Sequence, residues 1–212
     1  MKSFAYRISA KSRAKKYTFF LSQLSPTPTE TILDVGANAL EYSDTDNYLE
    51  KHYPYPKQIT VVSLDDPSAL QTLYPTITCI RADGTNLPFK DNQFDIAYSN
   101  AVIEHVGNWE AQLAFLRELA RVSHRGYLTT PNRHFPIEVH TRIPFLHLIL
   151  PQSLFDKFLK LIGKSWAADG YMSLLSKADL LSLTNLAKLP NATLTTHRFC
   201  GFTMTYTLTW HK

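Results

Sequence analysis

The chain has 212 residues, enough for one well-buried domain and too few for two ordinary ones. Hydrophobic residues make up 44% and charged residues 19%, a balance that excludes a chain disordered throughout. The formal net charge of +4 is unevenly spread: Lys2, Arg7, Lys11, Arg13, Lys15 and Lys16 crowd the first segment, as a solvated helix face or a contact for an anionic partner.

In chain order, Ser12 to Leu24 carries Tyr17, Phe20, Leu21 and Leu24 at helical spacing, and Pro26 and Pro28 end it. Thr31 to Val35 is a short β-branched run that closes at Gly36, the pattern of a buried strand and turn. A short helix is expected within Thr45 to His52, stopped by Tyr53-Pro54-Tyr55-Pro56. Further strands are expected at Ile59 to Leu64, Ile77 to Arg81 and Phe94 to Ser99. Asn108 is placed to cap a helix bearing Trp109, Leu113, Leu116 and Ala120 on one side. Gly126 to Thr130 makes a fifth strand, broken by Pro131-Asn132. Strands alternating with helices imply parallel βαβ units with right-handed crossovers, hence an α/β architecture.

Past Pro131 the alternation fails. Amphipathic pieces near Ser153 to Ile162 and Lys177 to Leu186 read as an inserted lid or substrate region over 131–190, which with an N-terminal helical segment over 1–30 completes a single domain. The stretch from Ile143 to Ile162 is interrupted by Pro144, His147, Pro151, Asp156 and Lys157, which a membrane span would hardly tolerate; peripheral contact through an amphipathic piece around Leu154 to Ile162 is the remaining membrane reading. Ala192 to Phe199 and Phe202 to Trp210, joined at Cys200-Gly201, form a closing antiparallel hairpin. Cys79 and Cys200 form no CxxC pair, so neither a disulfide framework nor a metal site is expected. The opening residues lack an apolar stretch of the secretory kind, so a cytoplasmic protein is expected.

Ligands of open α/β sheets bind beyond the carboxyl ends of the strands, so the residues just past each strand are the candidates. They are Asp34, Gly36, Ala37 and Asn38 after the first strand, Asp65 after the second, Asp83 and Gly84 after the third, and Asn100 after the fourth. Acids at the second and third ends suit a nucleoside: Asp65 can accept from ribose hydroxyls and Asp83 from an adenine amino group.

The segment Asp83-Gly84-Thr85-Asn86-Leu87-Pro88-Phe89-Lys90-Asp91-Asn92-Gln93-Phe94-Asp95 fits the pattern D-x-x-x-L-P-F-x-D-x-x-F-D. Together with Ser99 to Val106 and Leu128 to Arg133, it resembles the S-adenosylmethionine-dependent methyltransferases of the Rossmann-like class, type 11-like, over roughly Thr31 to Arg133. The resemblance implies a three-layer sandwich around a mainly parallel seven-stranded sheet, S-adenosylmethionine as cofactor, and methyl transfer to oxygen or nitrogen of a small or carrier-linked metabolite. The family's D-x-G-x-G-x-G loop is here Asp34-Val35-Gly36-Ala37-Asn38-Ala39-Leu40. Asn38 is expected to take glycine's left-handed conformation at the bend, and Leu40 to displace the helix that follows. A non-catalytic relative serving as a binding or scaffold subunit is the alternative this loop suggests.

Candidate bases are His105, after the fourth strand, and Glu138 and His140, after the fifth; a histidine titrates near neutrality and can take a proton from a hydroxyl or phenol. Glu104 reads as structural. Phe135, Phe145, Phe155, Trp166 and Tyr171 crowd the inserted region as core or as an apolar pocket wall. A pI of about 9 raises nucleic-acid methylation, which is disfavoured because neither an Asn/Asp-Pro-Pro-aromatic run after the fourth strand nor a Pro-Cys nucleophile is present. The lack of G-x-G-x-x-G argues against a nicotinamide enzyme.

Overall fold

The computed structural model describes residues 4–41, 43–138, 141–168 and 172–212. The elements, in order, are α1 (Phe4–Leu24), β1 (Ile32–Val35), α2 (Tyr48–His52), β2 (Ile59–Ser63), α3 (Ser68–Leu73), β3 (Thr78–Arg81), β4 (Phe94–Asn100), α4 (Trp109–Val122) and β5 (Ser123–Pro131). They are followed by α5 (Leu146–Ile149), α6 (Gln152–Leu161), α7 (Lys177–Leu186), β6 (Thr193–Phe199) and β7 (Phe202–His211). The seven strands form one sheet in the order β3-β2-β1-β4-β5-β7-β6. The first five run parallel, and β7 pairs antiparallel with both β5 and β6.

Alternation along the buried strands builds two cores. Leu33, Val35, Ala97 and Leu128 face α4 and α7, which contribute Phe115, Leu116, Leu119, Leu180 and Leu183. Ile32, Val61, Ile96, Tyr98 and Tyr127 face Phe20 and Leu24 of α1, Leu49 of α2 and Leu70 of α3. Tyr98 and Tyr127 stack at 5.4 Å, and Phe20 meets both rings edge-on. These are the three layers expected. The expected helix at Ser12 begins earlier, at Phe4, and α3 lies where no helix was expected.

The 131–190 region divides in two. Leu180 and Leu183 of α7 belong to the main core, and α7 begins with a capping box in which Ser176 and Asp179 exchange side-chain to backbone bonds. By contrast α5, α6 and the turn at Ser165–Ala167 surround a separate nucleus of Phe155, Leu159, Ala167 and Ala168. Among the described residues no helix is long and apolar enough to cross a membrane.

Candidate functional site

Strand order reverses at β1: the chain builds β2 and β3 on one side of it, then returns to place β4 on the other. A cavity of about 1070 Å³ opens at the carboxyl ends of these strands. Asp34, Gly36, Ala37, Asn38, Asp65, Asp83, Gly84 and Asn100 all line it, as does His105. Val139, His140 and Tyr171 lie outside the described residues.

The strand tips are tied together by the backbone. Gly36 N donates to Val62 O at 2.9 Å, Ala82 N to Ser63 O at 3.0 Å, and Ala101 N to Thr129 O at 2.9 Å. Ser99 Oγ donates to Val35 O at 3.0 Å, locking β4 to β1. Gly36 has φ of +101°, and a Cβ built on it would lie 2.4 Å from Val102 Cγ2, so the turn needs glycine on two grounds. Ala101, another lining residue, also sits in the left-handed region, with φ of 59°.

The loop after β1 corrects the expectation for Asn38. Among its described residues only Gly36 has a positive φ. Asn38 is held instead by a two-bond clamp: its N–H donates to Asn47 Oδ1 at 2.9 Å, and its carbonyl accepts from Asn47 Nδ2 at 3.0 Å. Asn47 bears the left-handed conformation, with φ of 48°, immediately before α2. The following helix, α2, begins only at Tyr48, and Leu40 lies on the cavity wall with 57% of its surface exposed. The clamp was invisible in sequence because its halves lie nine positions apart and Asn47 belongs to no motif.

Asp34 faces the same side as Ile32, toward α2, where Glu50 is also buried. Burial and the adjacent Glu50 charge hold the Asp34 carboxyl well above the usual carboxylate range. Burial likewise raises Glu50. Across the register, Tyr98 sits opposite Asp34 and is pushed up by burial and by that carboxyl.

At the tip of β4, Asn100 Oδ1 accepts from Lys16 Nζ at 2.8 Å and from Thr129 Oγ1 at 2.7 Å. Both bonds fix the amide plane, leaving Nδ2 as its donor group. Burial, reinforced by the nearby Arg13 charge and opposed by Glu104, lowers Lys16 to about 8. Glu104 is fully buried and accepts from Thr130 Oγ1 at 3.1 Å, consistent with a structural role. Arg13, also from α1, lines the cavity while donating to Thr45 O at 2.6 Å. Sequence reading noted Arg13 and Lys16 only as part of a basic segment. Asp83 Oδ1 accepts from both Thr85 N and Thr85 Oγ1 at 2.8 Å, which fixes its carboxylate at the rim. Gly84 permits β3's exit to press on α4, since a Cβ there would lie 2.5 Å from the Phe115 ring.

Glu138 is buried, and its carboxylate accepts from Thr141 N while its backbone N–H donates to Ile143 O at 3.0 Å. It therefore ties residue 138 to Thr141 and Ile143. Among the described residues no group of three or more His, Cys, Asp or Glu side chains could hold a metal ion.

A family described as methyltransferase domain matches residues 33–129. No curated protein is similar enough to match. Among solved structures, the chain is similar to magnesium protoporphyrin IX methyltransferase from Synechocystis PCC 6803 with bound SAH, at TM-score 0.61 and 14% identity over 100% of this chain and 89% of that one. It is similar to geranyl diphosphate C-methyltransferase from Streptomyces coelicolor A3(2), at 0.60 and 11%, over 93% and 78%. A third is Haemonchus contortus phosphoethanolamine N-methyltransferase 2 in complex with S-adenosyl-L-methionine, at 0.62 and 10% over 94% of this chain; the chain spans 52% of that protein. At such identities the likeness establishes the fold, and the match over 33–129 establishes the kind of domain.

Proposed function

Because the chain belongs, through residues 33–129, to the S-adenosylmethionine-dependent methyltransferases of the Rossmann-like class, we propose that it transfers a methyl group to oxygen or nitrogen of a small or carrier-linked metabolite. The observation that carries this reading is the convergence of residues from four neighbouring strand tips on one cavity. The cavity's volume suits a nucleoside joined to an amino acid.

The donor and acceptor set fits that cofactor. Asp65 accepts from the ribose hydroxyls, and the Asp83 oxygen not engaged with Thr85 accepts from the adenine amino group. Arg13, the only arginine or lysine among the described lining residues, pairs with the amino-acid carboxylate. Asn100 presents its amide N–H groups as donors. When bound, S-adenosylmethionine supplies a methyl group on a cationic sulfur, open to in-line attack. The protein's task is then positioning and the exclusion of water. His105, on the cavity wall, takes the proton that an acceptor hydroxyl or ammonium gives up, and His140 is the second candidate for that role.

Calorimetric titration with S-adenosylhomocysteine tests the reading: saturable binding is expected, and none at millimolar ligand would sink it. The scaffold alternative rests on the two glycines missing from the loop. The Asn38–Asn47 clamp weighs against it, because it orders the loop without them. Transfer of a labelled methyl group to any component of a cell extract would remove the scaffold reading.

A further inference from the structure

The 141–168 segment carries a concentration of exposed apolar side chains. Phe145, Leu148, Ile149, Leu154, Leu161 and Trp166 are all exposed, Ile149 at 74% and Leu161 at 85%. The elements that bear them pack around the small nucleus of Phe155 and Leu159, separate from both main cores.

On α6 the apolar arc is wider than the surface that buries it. Phe155 and Leu159, four apart, point inward and are buried. Leu154, Phe158 and Leu161, spaced by four and three, form a second line about 100° round the helix from Phe155, and both leucines on it face solvent. A helix that only needed to pack against the domain would place polar residues on that line. Lys157 and Lys160 follow it on the flank away from the nucleus.

Charge decides what covers this face. The segment 141–168 carries Arg142, Lys157, Lys160 and Lys164 against a single carboxylate, Asp156. A second copy of the same face would bring like charges together, so self-association is disfavoured. Exposed long apolar residues and a tryptophan, with lysines beside them on α6, are the composition that inserts among acyl chains while its cations meet lipid phosphates.

We infer that α5, α6 and the turn at Ser165–Ala167 form a docking surface for an anionic lipid bilayer, with Ile149, Leu154 and Leu161 entering the acyl boundary. The inference concerns where the protein sits and stands independently of whether the cavity binds the proposed cofactor.

Cosedimentation of the full chain with vesicles tests it. Vesicles of phosphatidylcholine with one-third phosphatidylglycerol are expected to bind the protein at least tenfold more tightly than pure phosphatidylcholine, with binding weakened in 0.5 M salt. The double variant I149E/L161E is expected to lose roughly tenfold or more of that affinity, while keeping the thermal midpoint and S-adenosylhomocysteine affinity of the parent. Absence of cosedimentation, binding indifferent to lipid charge and salt, or equal binding by the double variant would each overturn the inference. So would lipid-free dimerisation abolished by the same substitutions.

Discussion

Replacing Lys16 by methionine isolates the cost of a buried ammonium beside the site. The group is 7% exposed and its pKa falls from an ordinary 10.5 to about 8, first through burial and then through Arg13. At about 1.4 kcal/mol per pKa unit, the folded state gives up about 3 kcal/mol to keep this lysine charged. The folded pKa is the depressed one, so between about 8 and 10.5 the native state binds fewer protons than the unfolded chain. Stability from this group therefore rises with pH across that window and is lost as pH falls through 8. Tyrosines raised by burial, among them Tyr98 and Tyr127, oppose that rise at the alkaline end, so the comparison must be made as a difference. Urea unfolding of the parent and Lys16→Met should be followed at half-unit steps from pH 7 to 10.5. The gap between them is expected to move by about 3 kcal/mol in the parent's favour as pH rises. A gap constant across the window would refute the account of Lys16 as a desolvated cation.

Three further outcomes are expected. Asn47→Ala removes both bonds to the Asn38 backbone and places alanine at a positive φ. It should weaken S-adenosylhomocysteine binding roughly tenfold in calorimetry, with a smaller effect on thermal unfolding. Gly36→Ala combines a forbidden φ with a contact of 2.4 Å to Val102; cofactor affinity should fall by about 5- to 150-fold, which equilibrium dialysis would report. Gly126→Ala drives a methyl to within 1.9 Å of the buried Trp210 indole, whose ring cannot leave the core. A loss of about 3 kcal/mol is expected in urea unfolding, together with a change in tryptophan emission.

The strands were legible because burial imprints itself on them. Ile32 to Val35 and Ile59 to Ser63 are short, mostly apolar, mostly buried runs between turn residues, as strands covered on both faces must be. Asn108 was readable as a cap and does accept from Ala111 N at 3.0 Å. The short helix α3 was not, since Ser68 to Leu73 buries only Leu70 and shows no helical period. Site residues at strand ends were legible for a topological reason, because a parallel sheet places every such residue on one edge. The contributions of α1 and α2 were not. Arg13, Lys16, Asn47 and Glu50 reach the site through packing, and nothing in local sequence tells a buried lysine from a solvated one. Asn38 shows the limit of arguing from one motif position: the left-handed residue the loop required lies nine positions further on.

The placement of β7 between β5 and β6 governs the order in which the sheet can be completed. β6 leaves the ribosome before β7, yet its hydrogen-bonding neighbour in the finished sheet is β7. Until that later strand arrives, β5 presents a bare edge and Gly126 waits for the indole that covers it. A nascent chain of this topology would thus hold an unpaired, aggregation-prone margin until β7 has emerged, and slower emergence of β7 would lengthen that exposure.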